Sequence, residues 1–316
     1  ILGIQERIAH MIEVIQGKCP DFSVDDILTI EYETFVKDEF MTSLPKNNIF
    51  DFVRILKKKA VELYKQGIVK MSDVPTSFKL NDKQQIQKLL AEGGGKHIDK
   101  KQIKNFLDTL QYPLYYLDFE TMSSAIPRFN NSRPYQQIPF QFSLHIQDKP
   151  YGELRHISFL ADGITDPRLK FLQALKDNLD DNGDILVYNQ RFEKMIFKEG
   201  ADFFPEFSEW HDKNILPRIK DLMLVFDKFY YYDSKQEGSV SIKYVLPLLT
   251  DLKYDGMEIG KGDIASFEYT RVTYGSVSDA ERQRVRKALE KYCALDTLAE
   301  VEIVKSLGRI INEKSN

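Results

Sequence analysis

Cysteine is nearly absent from this chain: Cys19 and Cys293 are the only two in 316 residues, with no CxxC or paired spacing. That excludes a disulfide-stapled scaffold and a zinc knuckle, and leads us to expect a reducing, cytoplasmic setting. The five histidines, His10, His97, His145, His156 and His211, never stand three or four apart, so a histidine metal site is not expected. No apolar run approaches the ~20 residues of a membrane span, and the mean hydropathy is -0.38. No membrane partner is expected. There is no basic excess: the formal net charge is -4 and the pI about 5.9. Tight, metal-free binding of a polynucleotide is therefore not expected, although an acidic enzyme can meet phosphates through bound cations. The chain lacks a starting Met and begins at Ile1, so we expect a fragment of a longer protein.

Hydrophobic residues make up 42% and aromatics 12%, enough to pack a core, and 29% charged residues are ordinary for a globular protein. Residues 1–95 read as helical. Ile49, Phe52, Val53, Leu56, Ala60 and Leu63 recur near the helical period, with Gly67 as the stop, and a second helix is predicted over Asp82–Ala91. Gly93-Gly94-Gly95, the one glycine run, marks the seam to a second domain over 96–316. Asp99 with Gln102 three residues later predicts a helix start that runs through Leu110.

From Pro113 the pattern changes to strands alternating with helices. Strands are predicted over Tyr115–Glu120, Phe140–Ile146, His156–Leu160 and Ile185–Tyr188. Helices are predicted over Pro167–Leu179, Gln190–Lys198 and Asp279–Leu307. The expected fold class is α/β, with a mixed central sheet flanked by helices after a mostly helical N-terminal region.

Three groups of residues carry chemistry. In Leu117-Asp118-Phe119-Glu120, alternation along a strand puts Asp118 and Glu120 on one face. Two acids so placed repel and lose solvation unless a cation lies between them, and hard divalent ions favour such oxygen ligands. The second group ends a buried strand at Asn189 and starts a helix with Glu193 in its first turn. An Asn there commonly caps, and an early Glu commonly serves the helix dipole. In the third, Tyr292 and Asp296 share a face of a largely apolar helix. An Asp in such surroundings needs a partner, either the tyrosine or a metal.

Taken in order, DxE, N-x-x-F-E and Y-x-x-x-D resemble the DEDD exonuclease superfamily in its tyrosine-bearing (DEDDy) branch. Tyr188-Asn189 and Tyr292-Cys293 with Asp296 are especially similar to the proofreading motifs of family B DNA polymerases. A closer similarity is to an uncharacterised bacterial domain family. It is carried by Tyr116 to Thr121, Arg133 to Gln141, the Asn189 motif, Ser241-Ile242-Lys243 and Tyr292-Cys293 with Asp296 and Thr297. In that family the domain often follows a RecB-like nuclease domain.

The resemblance implies a ribonuclease H-like fold over 96–316. It implies hydrolysis of terminal phosphodiesters at the 3′ ends of single-stranded DNA or RNA, with two Mg²⁺ or Mn²⁺ ions. Asp118, Glu120, Glu193 and Asp296 would hold the metals, and Tyr292 would orient the attacking water. Thr121 would meet the terminal 3′-hydroxyl or serve as a turn hydroxyl. Asn189 would bind the terminal sugar or phosphate, or cap the strand end. Lys243 would meet the scissile phosphate or remain a solvated lysine. Tyr230, Tyr231 and Tyr232 would stack on bases or pack in the core, and Asp221 would cap a helix. The superfamily usually has Asp where this chain has Glu193. That departure leaves a second expectation, a catalytically degenerate fold that binds nucleic acid or protein.

Overall fold

The structure, a computed structural model, describes residues 3–17, 23–29, 35–163 and 165–313; Cys19 lies outside them. The chain divides into two compact units, Ile1–Gly93 and Gly94–Asn316. The first holds helices α1 (Ile4–Gln16), α2 (Val24–Thr29), α3 (Phe35–Ser43), α4 (Lys57–Lys65) and α5 (Asp82–Gly93). Its small core gathers Ile49, Phe52, Leu63, Met71 and Val74.

The single helix expected from Ile49 onward does not form. Only a 3-10 turn forms at Ile49–Asp51, followed by an extended stretch and then α4. The cause is a competing set of hydrogen bonds. Asn48 and Asp51 close a reciprocal cap, with the Phe50 amide donating to the Asn48 side chain. Gln84 and Gln87, buried on α5, then satisfy Val53 and Asp51. With its backbone groups paired this way, the segment has no need of helical partners.

The second unit opens with β1 (Lys96–Ile98) and α6 (Lys100–Asp108), whose cap Asp99 accepts from the Gln102 amide at 3.0 Å. Its sheet is built from β2 (Leu114–Met122), β3 (Ile138–Gln147), β4 (Leu154–Leu160), β5 (Asp184–Val187) and β6 (Ile219–Asp221). The order is β4-β3-β2-β5-β6, with β2, β3 and β4 antiparallel and β5 and β6 parallel to β2. The fold is thus α/β with a mixed five-stranded sheet. A last strand, β7 (Tyr231–Asp233), pairs with β1 in a separate ribbon that buries Tyr231 and Tyr232. Those two tyrosines are packing residues, and Tyr230 is half-buried against the core.

Alternation along β2 feeds two cores. Tyr115, Leu117 and Phe119 point to one face, against Phe171 of α7 (Arg168–Asn178) and Phe197 of α8 (Gln190–Phe203). Leu114 and Tyr116 point to the other face, against Ala299, Ile303 and Leu307 of the C-terminal helix. Each such side chain contributes about 1.5–3 kcal/mol on burial. The consequence for the site is directional: Asp118 and Glu120, in phase with Tyr116, must face the C-terminal helix.

Between Lys198 and Asp279 no element is predicted from the sequence, yet the structure has several. After α8 come α9 (Ser208–Trp210), α10 (Met223–Asp227), α11 (Ile242–Leu249), α12 (Gly262–Tyr274) and the 34-residue α13 (Asp279–Asn312). α11 carries an internal Pro247, and α12 is rich in aromatic and β-branched residues, so neither advertises itself by propensity. Among the described residues no helix is long and apolar enough to cross a membrane.

Candidate metal centre

β2 and α13 supply the centre of the site. Gln141, paired with Glu120 across β2 and β3, donates to the Leu289 carbonyl at 3.0 Å. One residue past Asp296, Thr297 Oγ1 meets Ser143 Oγ at 2.7 Å and His145 Nδ1 at 2.8 Å. These bonds hold α13 against β3 and run it opposite to β2. Tyr292 and Asp296, one helical turn apart, then face the two strand acids.

The result is a cluster. One carboxylate oxygen each from Asp118, Glu120 and Asp296 lies within 4.8 Å of the others. Two unit charges at such a separation repel by roughly 3 kcal/mol at an effective dielectric of about 20. Accordingly all three acids are pushed up from the ordinary carboxylate range. Burial is the main cause for Asp118, with Asp296 next. For Glu120 burial is joined by Asp118 and Asp296, and Asp296 is raised to about 6. The ammonium of Lys243 opposes the shift at each. An all-oxygen donor set of this kind suits a hard divalent cation such as Mg²⁺ or Mn²⁺.

The triad lines an open cleft together with Thr121, Phe192, Lys243, Gly262 and Tyr292. Lys243, from the first turn of α11, donates to the Gly260 carbonyl at 2.6 Å and to Tyr292 Oη at 3.2 Å. The lysine is part of the site rather than a solvated surface cation. Burial and the neighbouring acids push the Tyr292 phenol far above its ordinary value. Thr121 sits at a β-bulge beside Glu120 and donates to Gln137 Oε1 at 2.6 Å. The N-terminus of α12 closes on the acids: a Cβ built on Gly262 would lie 3.6 Å from Glu120 Oε2.

Residues 115–241 match a domain of unknown function, DUF2779. An uncharacterised protein of Ureaplasma parvum is similar at 26% identity over 63% of this chain and 31% of its own length. Uncharacterised proteins of Mycoplasma genitalium and Mycoplasma pneumoniae are similar at 27% and 30% identity, over 67% and 65% of this chain. Each of those alignments covers 34% of the relative, so this chain spans about a third of the length of the curated relatives it matches. No solved structure matches. The match is consistent with the uncharacterised bacterial domain family expected from the motifs; the family match ends before Lys243, Tyr292 and Asp296.

Glu193 and Asn189 stand differently from the triad. Glu193 is 2% exposed in the first turn of α8, outside the tight cluster, and its Oε2 has no hydrogen-bond partner. Burial and then the charge of Asp118 raise its carboxyl well above the ordinary range. Asn189 adopts a left-handed backbone (φ 78) and its side chain makes no capping bond. The cap comes instead from Asp221, which accepts from the Asn189, Gln190 and Met223 amides. That spends Asp221 on the backbone, as expected for a capping residue.

Two site residues carry no motif. Tyr254, from the loop after α11, donates to Asp296 Oδ1 at 2.5 Å. Glu300, one turn beyond Asp296, is 1% exposed with an unpartnered Oε2. An acid inside an apolar helical run was the available signal for Glu300; nothing local marks Tyr254.

Proposed function

We propose that residues from Gly94 onward form a ribonuclease H-like, metal-dependent 3′→5′ exonuclease acting on single-stranded DNA or RNA. The carrying observation is the convergence of Asp118, Glu120 and Asp296 in one cleft beneath Tyr292 and Lys243. The sheet order, three antiparallel strands followed by two parallel ones, supports the fold assignment.

Asp118, Glu120 and Asp296 would hold the cations, with Glu193 behind Asp118. When bound, Mg²⁺ or Mn²⁺ would polarise the phosphoryl oxygens and offset charge on the attacking and leaving oxygens. In the reaction, a water oxygen bonds to the terminal phosphorus and the bond to the penultimate 3′ oxygen breaks. Tyr292 orients that water; with its phenol held protonated by burial it is no base. Lys243 is positioned to meet the scissile phosphate, and Thr121 the terminal hydroxyl. We also propose that the greater length of the relatives accommodates a fused nuclease domain.

End-labelled single-stranded DNA and RNA, incubated with Mg²⁺ or Mn²⁺, test this. The expected product is a ladder shortened from the 3′ end that Asp118→Ala abolishes. The position of Glu193 outside the triad favours a second reading, a degenerate fold that binds single strands without cutting them. Binding with no product in either metal would establish that reading over the first.

A further inference from the structure

Resting on the metal-binding reading above, a further residue of α13 belongs to the site. Tyr292, Asp296 and Glu300 occupy successive turns of one helix face. The bonds of Leu289 to Gln141 and of Thr297 to Ser143 and His145 fix how that face lies along β2. Gln141, Ser143 and His145 pair with Glu120, Asp118 and Tyr116 in turn. Tyr292 therefore falls near Glu120, Asp296 near Asp118, and Glu300 one turn deeper, toward Tyr116.

At that depth Glu300 is 1% exposed, and Glu193, arriving from the end of β5, is 2% exposed. Each has an Oε2 with no hydrogen-bond partner. Protonation does not resolve this, because a carboxylic acid oxygen carrying hydrogen needs an acceptor just as a carboxylate oxygen needs a donor. Asp118, Glu193, Asp296 and Asp221 all act electrostatically on Glu300, with Asp118 the strongest of the four. Asp221 is already satisfied by three backbone amides.

We propose that Glu300 is a further acidic ligand of the site, forming with Glu193 and Asp118 the inner of two divalent-cation seats. Asp118, Glu120 and Asp296 form the outer seat, and Asp118 borders both. The charges agree with this division. Asp118, Glu120, Glu193, Asp296 and Glu300 bring five negative charges when ionised. Two divalent ions together with the Lys243 ammonium balance them, whereas a single ion leaves a net negative charge buried. Glu193 thus gains a partner of its own length, so the inner seat is framed by two glutamates and not by one overlong acid.

Calorimetric titration of the 316-residue chain with Mn²⁺ alone tests this, comparing wild type with Glu300→Gln, Glu193→Gln and Asp118→Asn. Wild type should bind two ions. Either glutamine variant should keep the outer ion and bind the inner one at least ~10-fold more weakly, and Asp118→Asn should lose both. Two ions bound by Glu300→Gln with wild-type affinity would overturn the proposal and leave the metal-binding reading intact. So would a single wild-type ion that Glu300→Gln does not alter. A wild-type protein that binds no Mn²⁺ would overturn both. Should Glu300→Gln fail to fold, as judged by circular dichroism, Glu193→Gln decides: retention of two ions overturns the inner seat, and loss of one supports it.

Discussion

Replacing Asp296 by asparagine should stabilise the metal-free protein at neutral pH. The Asp296 carboxyl is lifted from 3.8 to about 6, chiefly by burial, despite hydrogen bonds from Tyr254 and Tyr292 that favour its ionised form. The folded protein therefore keeps a proton that the unfolded chain has released. Stability is undiminished below about pH 4, falls as pH rises toward 6, and stays reduced above it. The cost at pH 7.5 is about 3 kcal/mol, from ~1.4 kcal/mol per pH unit of displacement. The asparagine side chain would carry no charge and still offer an oxygen to Tyr254. It would also relieve Asp118 and Glu120, whose carboxyls Asp296 pushes upward. For a unit of this size, about 3 kcal/mol corresponds to a melting-temperature rise of roughly 6–12 °C. Thermal melts in EDTA from pH 4 to 8 provide the assay. The variant should exceed wild type at pH 7.5, and the gap should close near pH 4. Millimolar Mn²⁺ should then raise wild type and leave the variant unmoved, since only a bound ion links concentration to stability. An asparagine variant melting at or below wild type in EDTA at pH 7.5 would refute the argument that the acids are held together at a cost.

Three further outcomes follow from the same geometry. Tyr292→Phe should leave Mn²⁺ affinity intact and slow hydrolysis, whereas Asp118→Ala abolishes both; equal Mn²⁺ affinity in wild type and Asp118→Ala, read by calorimetry, would count decisively against the assignment. Lys243→Met should bind Mn²⁺ at least as tightly as wild type, because an opposing charge is gone, while turnover falls on the order of 10²-fold in the gel assay; weaker metal binding would remove Lys243 from the cleft. Glu193→Ala should lose about 10²-fold or more in rate while Glu193→Asp keeps measurable activity, and wild-type turnover should be higher with Mn²⁺ than with Mg²⁺, which tolerates irregular ligand geometry less well.

The central strand, the two acids on it and the long C-terminal helix were legible because each depends on a local repeat. Alternation along Leu114–Met122 determines which side chains share a face, and the apolar spacing around Tyr292 and Asp296 marks a buried helix. The same kind of reasoning failed at Ile49–Leu63. There the apolar period is present, but the Asn48 cap and the distant Gln84 and Gln87 side chains take the backbone groups a helix would have used. It also left α11 and α12 unassigned, although Lys243 and Gly262 reach the site from them.

By itself, then, the sequence determined the α/β alternation, the face on which Asp118 and Glu120 stand, and the pairing of Tyr292 with Asp296 on one helix. These are properties of one strand or one helix, governed by periods of two and 3.6 residues. Only the tertiary structure decided that α13 runs opposite to β2 in the register that closes Asp118, Glu120 and Asp296 into one cluster. It alone brought Tyr254 onto Asp296, set Glu193 behind the triad, and left Glu300 buried without a partner for its Oε2. The physical reason is that burial and charge repulsion depend on distances between elements far apart in the chain, and no local repeat encodes those distances.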